Sequence, residues 1–258
     1  GLHYASCVFE GLRIYDGRIF KLEEHIERLF NSADILDLDI PHHKDEVIDI
    51  TKEIILKQNV SNGYVRPVVW RGSEMMAISA KKGSTNLAIA AWEWPSYFSP
   101  NKLLEGIKLN VSKWLRPSPD SAPTDSKAAG LYMICSLSKH EAERNGFDDA
   151  LMLDYRGFIA EATGANIFFT KQDKLFTPIP DCFLDGITRK TVIEIAKKLR
   201  IEIEEGHFNY DFLESCEEVF LTGTAVEITP VTSIDKYKFK VGEITKLLIK
   251  EFNKVVRG

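Results

Sequence analysis

Residues 92–102 read WEWPSYFSPNK, and no helix or strand can run through them unbroken. Pro95 and Pro100 each fix φ and remove a backbone donor. Yet Trp92, Trp94, Tyr97 and Phe98 crowd the same stretch, and rings of that size need surface to pack against. A segment that is irregular and aromatic at once reads as a connector held against packed bodies. It divides the 258 residues into two expected domains, 1–92 and 105–258, joined by a connector over 93–104.

Both halves mix strands and helices. CVFEGLRIYDGRIF alternates on either side of Asp16-Gly17, the signature of a strand ending near Tyr15, a tight turn and a return strand. KLEEHIERLFNSADILDL spaces Leu22, Ile26, Leu29 and Phe30 along one helix face, and KDEVIDITKEIILKQN reads as a second helix. GYVRPVVWRG and NLAIAAWEW are strand-like. In the second half GIKLNVSKWLR is a strand, followed by a loop with Pro117, Pro119 and Pro123, the helix YMICSLSKHEAERNG and a hairpin over DALMLDYRGFIAEATGANIFFTKQDKLFTP. TRKTVIEIAKKLR is a helix, IEIEEGHF a strand, DFLESC a short helix, and EVFLTGTAVEITPVTSID strand, turn, strand. No repeat or low-complexity tract interrupts this. The pattern is α+β (mixed α/β).

The totals exclude several functions. The net charge is −5 and basic residues alternate with acidic ones, so no nucleic-acid surface is expected. No apolar run is long enough for a membrane span, and no signal peptide is evident. Cys7, Cys135, Cys182 and Cys216 are scattered without a CxxC, which points to free thiols in a cytoplasmic protein. His42-His43 lacks ligand spacing and reads as a loop pair, so no metal is expected. The chain opens on Gly1, and LHYASCVFEGLRIY reads as though it starts inside a strand. Missing N-terminal sequence is the expectation.

The chemistry gathers around SAPTDSKAAGLY, where Lys127 stands alone among small residues. It is either an exposed lysine at an Ala-rich helix start or an amine in a tight pocket. An amine kept neutral by desolvation forms a Schiff base with an aldehyde, and small neighbours leave room for a flat ring. If that aldehyde is pyridoxal phosphate, three further groups are needed. For the phosphate, LDGITRKTVIEIAKKL offers the N–H groups of Ile187 and Thr188 at a helix start, against a plain Thr N-cap. Thr224 in TGTAVE adds a second turn, against an ordinary hairpin, and Arg28 a fixed charge, against a surface pair with Glu24. For the ring nitrogen, Glu161 lies among apolar residues and needs a cationic partner if buried, or else sits exposed on a strand end. For substrate carboxylates, Tyr64 and Arg66 are two apart and share a strand face, where a solvent-facing pair is the alternative. Each signal alone is weak; they agree on one chemistry.

HYASCVFEGLRIYDGRIFKLEEHIERL, GYVRPVV, APTDSKAAGLY, GFIAEATGANIFF, LDGITRKTVIEIAKKL and EVFLTGTAVEITPV follow the order and about the spacing of class IV (fold type IV) pyridoxal-phosphate aminotransferases. Nearly the whole chain resembles this family, and within it most resembles the branched-chain amino-acid group. The resemblance implies a small N-terminal α/β domain, a larger barrel-like C-terminal domain that binds pyridoxal 5'-phosphate, the cofactor between domains, and a homodimer or higher homo-oligomer. Lys127 matches the Schiff-base lysine and proton shuttle. Arg28, Ile187, Thr188 and Thr224 match phosphate-binding positions, Glu161 the partner of the ring nitrogen, Tyr132 the group near the phenolic oxygen, and Leu184 a residue packed on the ring. Tyr64, Arg66 and Gly223-Thr224-Ala225 match contacts to substrate carboxylates. Phe9, Trp94, Tyr97 and, from a partner subunit, Tyr4 match the side-chain pocket.

Three departures stand out: Leu131 where the family usually has Asn, Asp185 where it often has Pro, and the absence of the strands that precede HYAS. The implied activity is transfer of the amino group from L-leucine, isoleucine or valine to 2-oxoglutarate. Lys127 acts there as general base, and Arg66 receives the distal carboxylate. D-amino-acid or R-amine aminotransferases and aminodeoxychorismate lyases of the same fold are the alternatives, with a catalytically silent binding protein more remote.

Overall fold

The computed structural model describes residues 2–94, 97–98, 102 and 105–258. It consists of two units: Gly1–Pro95 with Ala122–Met133, and Ser96–Ser121 with Ile134–Gly258. Most of the connector expected over 93–104 lies outside the described residues.

The first unit is a five-stranded sheet with two helices on one face. Strands β1 (Cys7–Phe9) and β2 (Leu12–Tyr15) lie end to end along one edge of β4 (Gly63–Arg71), while β5 (Thr85–Glu93) pairs with the other edge. The sequence reads Cys7 to Tyr15 as one strand; the structure breaks it at Glu10-Gly11. At Gly11 a Cβ would run into the Tyr64 hydroxyl, so only glycine lets the two strands approach there. The turn at Asp16-Gly17 leads into β3 (Arg18–Ile19), with Asp16 and Gly17 both at positive φ, as a tight hairpin of that type requires.

Alternation sends Val8, Glu10, Leu12 and Ile14 toward the helices α1 (Leu22–Ile35) and α2 (Lys44–Lys57). There Leu12, Ile14, Ile26, Val47, Ile55 and Val65 form the core. The opposite face carries Phe9, Tyr64, Arg66 and Val68, opposite the small Ala90 and Ala88 of β5. His42-His43 precedes α2, and the His43 N–H donates to Glu46 at 3.0 Å, closing the helix start.

The second unit is built on a nine-stranded sheet that curls into a half-barrel. Its strands are β6 (Ile107–Val111), β7 (Asp149–Leu153), β8 (Ile159–Ala162), β9 (Asn166–Lys171), β10 (Lys174–Pro178), β11 (Ile203–Gly206), β12 (Glu218–Gly223), β13 (Glu227–Ile234) and β14 (Tyr237–Lys238). The order is β11-β10-β9-β12-β13-β6-β7-β8, with β14 on β13. The segment expected as one hairpin is two: β7 with β8, and β9 with β10.

One sheet face buries Leu109, Leu151, Ile167, Phe169, Val219, Leu221 and Val231 together. Helices α3 (Tyr132–Arg144), α4 (Ile187–Lys198) and α5 (Glu243–Arg257) complete the described regular helices. DFLESC is a 3-10 turn starting at Tyr210. No element was expected after Asp235, yet α5 is strongly amphipathic and buries Leu248, Phe252 and Val256. Its first turn is capped by a strand residue. Buried Glu218 accepts from the N–H groups of Ile244 (3.4 Å) and Thr245 (2.8 Å), placing a carboxylate on the positive end of the helix.

Candidate active site

Lys127 is pinned by its backbone. Its N–H donates to Ser32 of α1 at 3.0 Å, and its carbonyl accepts from Phe9 of β1 at 3.2 Å. The side chain is half-buried, and Nζ donates to the Tyr132 hydroxyl at 2.7 Å. It also lies 5.1 Å from the centre of the Phe9 ring, and that ring packs edge-on against Tyr132 at 4.8 Å. An exposed lysine at a helix start is therefore not what the structure places here. Tyr132 opens α3, and Leu131 ends a 3-10 turn over Ala129–Leu131.

Arg66 also lies over the Phe9 ring, 4.6 Å from its centre, and donates from Nη2 to the Tyr64 hydroxyl at 3.3 Å. Its Nε is buried with no hydrogen-bond partner among the described residues, a donor left for an anionic ligand. Trp94 packs against Tyr64 with ring centres 4.8 Å apart.

Arg28 does not make the surface pair with Glu24 that the helix spacing allows. Its Nε and Nη2 donate side-on to the two oxygens of Glu10, at 2.5 and 3.0 Å, and His25 Nδ1 joins the same carboxylate at 2.7 Å. Burial pushes the Glu10 carboxyl up, but the Arg28 charge and the His25 bond outweigh it and hold Glu10 well below the usual carboxylate range. Burial holds His25 down, so the ring stays neutral. This bidentate grip fixes the Arg28 guanidinium. Glu10 and His25 were not read from the sequence; a glutamate on the apolar face of a strand was the available signal.

Tyr4 is 53% exposed, with its neighbouring ring contact to His3 alone among the described residues. So the first unit brings together Lys127, Tyr132, Phe9, Tyr64, Arg66 and Trp94, and leaves Tyr4 outside that cluster.

In the second unit Glu161 is buried on β8, not exposed at a strand end. It has a cation within the chain: Arg116 Nε is 3.3 Å from Oε1. Arg116 also donates from Nη1 to Cys135 Sγ at 3.5 Å. The Cys135 thiol is pushed up to about 11, mainly by burial. Oε2 of Glu161 accepts from Asn166 Nδ2 at 3.4 Å. Arg116 and Asn166 were both missed in the sequence. An arginine in WLRP and an asparagine inside the apolar strand GANIFF were the clues.

Helix α4 starts at Ile187 with Gly186 as N-cap, so Thr188 is the second helical residue rather than the cap. The N–H groups of Ile187 and Thr188 have no acceptor within the helix, and the dipole favours an anion there. Asp185, whose charge alone would repel one, is engaged by Arg189 at 2.9 Å and Lys190 at 3.4 Å. Gly223-Thr224-Ala225 forms the turn between β12 and β13, with Gly223 close to Gly164 and Ala165. Just before it, the Thr222 hydroxyl is buried without a hydrogen-bond partner among the described residues. Tyr97 is exposed, packs edge-on against Phe98 and lies under Lys139.

Asp154, Asp181 and Cys182 lie close enough to hold a metal, but Arg156 already pairs with both carboxylates.

The first unit sets a lysine amine on a tyrosine hydroxyl, and the half-barrel unit carries a buried carboxylate and an anion-accepting helix start; each set of groups, taken by itself, is of the kind an amino-transferase of class IV uses. The sequence model of that family matches residues 7–234, and the chain belongs to it. Among its relatives, the probable branched-chain-amino-acid aminotransferase of Rickettsia typhi is 46% identical, aligned over 100% of this chain and 89% of its own length. The crystal structure of the Escherichia coli branched-chain amino acid aminotransferase has a TM-score of 0.96 at 37% identity, covering 100% of this chain and 88% of that one. The branched-chain amino acid aminotransferase of Thermobaculum terrenum, solved in its PLP-form, gives 0.89 at 32% identity, covering 99% of this chain and 87% of that one. No described helix is long and apolar enough to cross a membrane.

Proposed function

We propose that this chain is a pyridoxal 5'-phosphate-dependent aminotransferase that exchanges the amino group between L-leucine, isoleucine or valine and 2-oxoglutarate, giving branched 2-oxo acids and L-glutamate. The observation that carries the reading is Lys127 Nζ on the Tyr132 hydroxyl, with the Phe9 ring and the Arg66 fork beside it.

The residues present fit the cofactor. Ile187 and Thr188 offer free N–H groups for its phosphate, supported by Thr224, and Leu184 an apolar contact for its ring; on the first unit Arg28 offers a fixed positive charge. Glu161 offers a buried carboxylate oxygen to the proton on its ring nitrogen. When bound, pyridoxal phosphate supplies an aldehyde carbon that an amine can join and a conjugated ring that takes up an electron pair.

The rest is the work of the chain. Lys127 would hold the cofactor through Nζ, and as a free amine it would stand ready to move a proton. In that state Nζ would take the substrate's α-proton as general base and give a proton back as general acid. Tyr132 keeps Nζ in place between these roles. Arg66 and Tyr64 on the first unit, and the Gly223-Thr224-Ala225 turn on the second, each offer donors for a carboxylate. Phe9 and Trp94 give an apolar wall that suits a branched side chain, and the Arg66 fork at its margin admits glutamate; Tyr97, on the other unit, offers an aromatic surface of the same kind.

The exposed Tyr4 supports a homodimer in which it completes a partner's pocket. The four free thiols support a reducing, cytoplasmic setting.

The test is the visible spectrum of the purified protein. A band that bleaches with L-leucine and returns with 2-oxoglutarate is expected. Bleaching by D-alanine alone would move the substrate to the D-series, and no band even after adding pyridoxal phosphate would refute the reading.

A further inference from the structure

Asn166 does three things at once. It is 5% exposed and held rigidly on β9, opposite Thr222 of β12. Its Nδ2 donates to Glu161 Oε2 at 3.4 Å and to the Leu184 carbonyl at 3.0 Å, and its Oδ1 accepts from the Gly186 N–H at 3.1 Å. The amide orientation is fixed by these partners, since a carbonyl can only accept and an N–H can only donate. Leu184 and Gly186 belong to the turn that leads into α4, where Ile187 and Thr188 present their N–H groups. Gly186 is glycine for a local reason: a Cβ would collide with Asn166 Oδ1.

We propose that Asn166 is a positioning residue that couples the two ends of the cofactor site, tying the acceptor for the ring nitrogen to the anion-binding turn. This rests on the functional reading above. Glu161 is then held at both oxygens, by Arg116 on one and Asn166 on the other. The side chain that orients it also orients the turn. Without Asn166 the carboxylate and the turn move independently, and the ring nitrogen no longer meets its acceptor whenever the phosphate is seated. All three polar contacts of the Asn166 amide go to the protein itself, so it acts through Glu161 and through the backbone of Leu184 and Gly186.

The experiment uses Asn166→Ala and Asn166→Asp as apoproteins, loaded with pyridoxal phosphate labelled with nitrogen-15 in the ring. Cofactor affinity is measured by equilibrium dialysis, ring protonation by the nitrogen-15 chemical shift, and folding by the melt of the apoprotein. Loss of an outer support behind a metal ligand typically costs about 10- to 100-fold in affinity, and a weakening on that scale is expected for both variants. The ring signal is expected to shift away from the protonated value. Asn166→Asp keeps the acceptor for Gly186 but cannot donate to Glu161 or to the Leu184 carbonyl, so it removes both Nδ2 bonds in a side chain of the same size should Asn166→Ala fail to fold. Affinity within about twofold of the parent together with an unchanged nitrogen-15 shift, in whichever variant folds, would overturn the proposal. If the parent itself binds no cofactor, the functional reading falls first and this one with it. If the parent binds and the variants match it, Asn166 alone is wrongly assigned.

Discussion

Glu10→Gln is the most informative single change in the first unit. Glu10 is fully buried and receives two bonds from Arg28 and one from His25. The amide keeps the shape and one acceptor but removes the charge that compensates Arg28. Breaking a buried pair by removing one partner costs about 3–5 kcal/mol, because the other charge stays buried. Since glutamine retains part of the hydrogen bonding, the lower end applies, about 3 kcal/mol.

Unfolding entropy of about 2.1 cal/mol/K per residue gives about 0.54 kcal/mol/K for a chain of this length, so Tm falls by about 6 °C. The pH dependence adds a second check. Glu10 has a folded pKa held below its ordinary value of 4.5, so its stabilisation is complete above that value and is lost as pH falls through and below it. The parent therefore loses its advantage over Glu10→Gln on acidification from about pH 5, by up to about 1.4 kcal/mol per pH unit. The assay is thermal melting of both apoproteins from about pH 8 down to about pH 3, a range that spans the ordinary carboxylate titration. A variant that melts within about 1 °C of the parent at neutral pH, against the shift of several degrees expected, or a gap that does not narrow in acid, would refute the account of this buried pair.

Lys127→Ala should lose at least about 1,000-fold in transamination, the scale of a positioned general base, with the apoprotein melting as the parent does; steady-state kinetics and a melt decide it. Gly11→Ala drives a methyl into the Tyr64 hydroxyl and so displaces the group that Arg66 Nη2 bonds. KM for 2-oxoglutarate should rise about 10-fold while that for L-leucine changes less, which initial-rate measurements would separate. Glu218→Ala strips the cap from α5, costing about 1–2 kcal/mol, and should lower Tm by about 2–4 °C with kcat unchanged.

What the sequence discloses and what it hides divide along a physical line. The hairpin at Asp16-Gly17 and the strand pair Tyr64, Arg66 are local, set by turn chemistry and by alternation, and both can be read by eye. Lys127 is conspicuous because its neighbours are small. The groups that hold the site are another matter. Glu10, His25, Arg116 and Asn166 take their meaning from partners distant in the chain, and a buried ion pair leaves no periodic trace in either segment. The fate of residues 122–133 is hidden for the same reason. Their composition says loop, while the contacts that place them with the first unit come from Ser32 and Phe9. Helix α5 is a different kind of miss, since the spacing of Leu248, Phe252 and Val256 carries a helical signal in the sequence itself.

The cysteines lend themselves to timing. Cys135, Cys182 and Cys216 are buried, and burial pushes their thiols up to about 11, 12 and 12 respectively. At neutral pH each is almost wholly protonated and shut away from reagents, so a thiol-specific label can reach it only when its surroundings open. Because all three lie in the second unit, the rate at which each sulfur takes up label becomes a clock for local opening there. Cys135 is the most telling of the three, since its sulfur accepts from the same Arg116 that pairs with Glu161. If cofactor binding steadies that arginine, labelling of Cys135 will slow in its presence, and a single sulfur will report how firmly Glu161, the acceptor proposed for the ring nitrogen, is held.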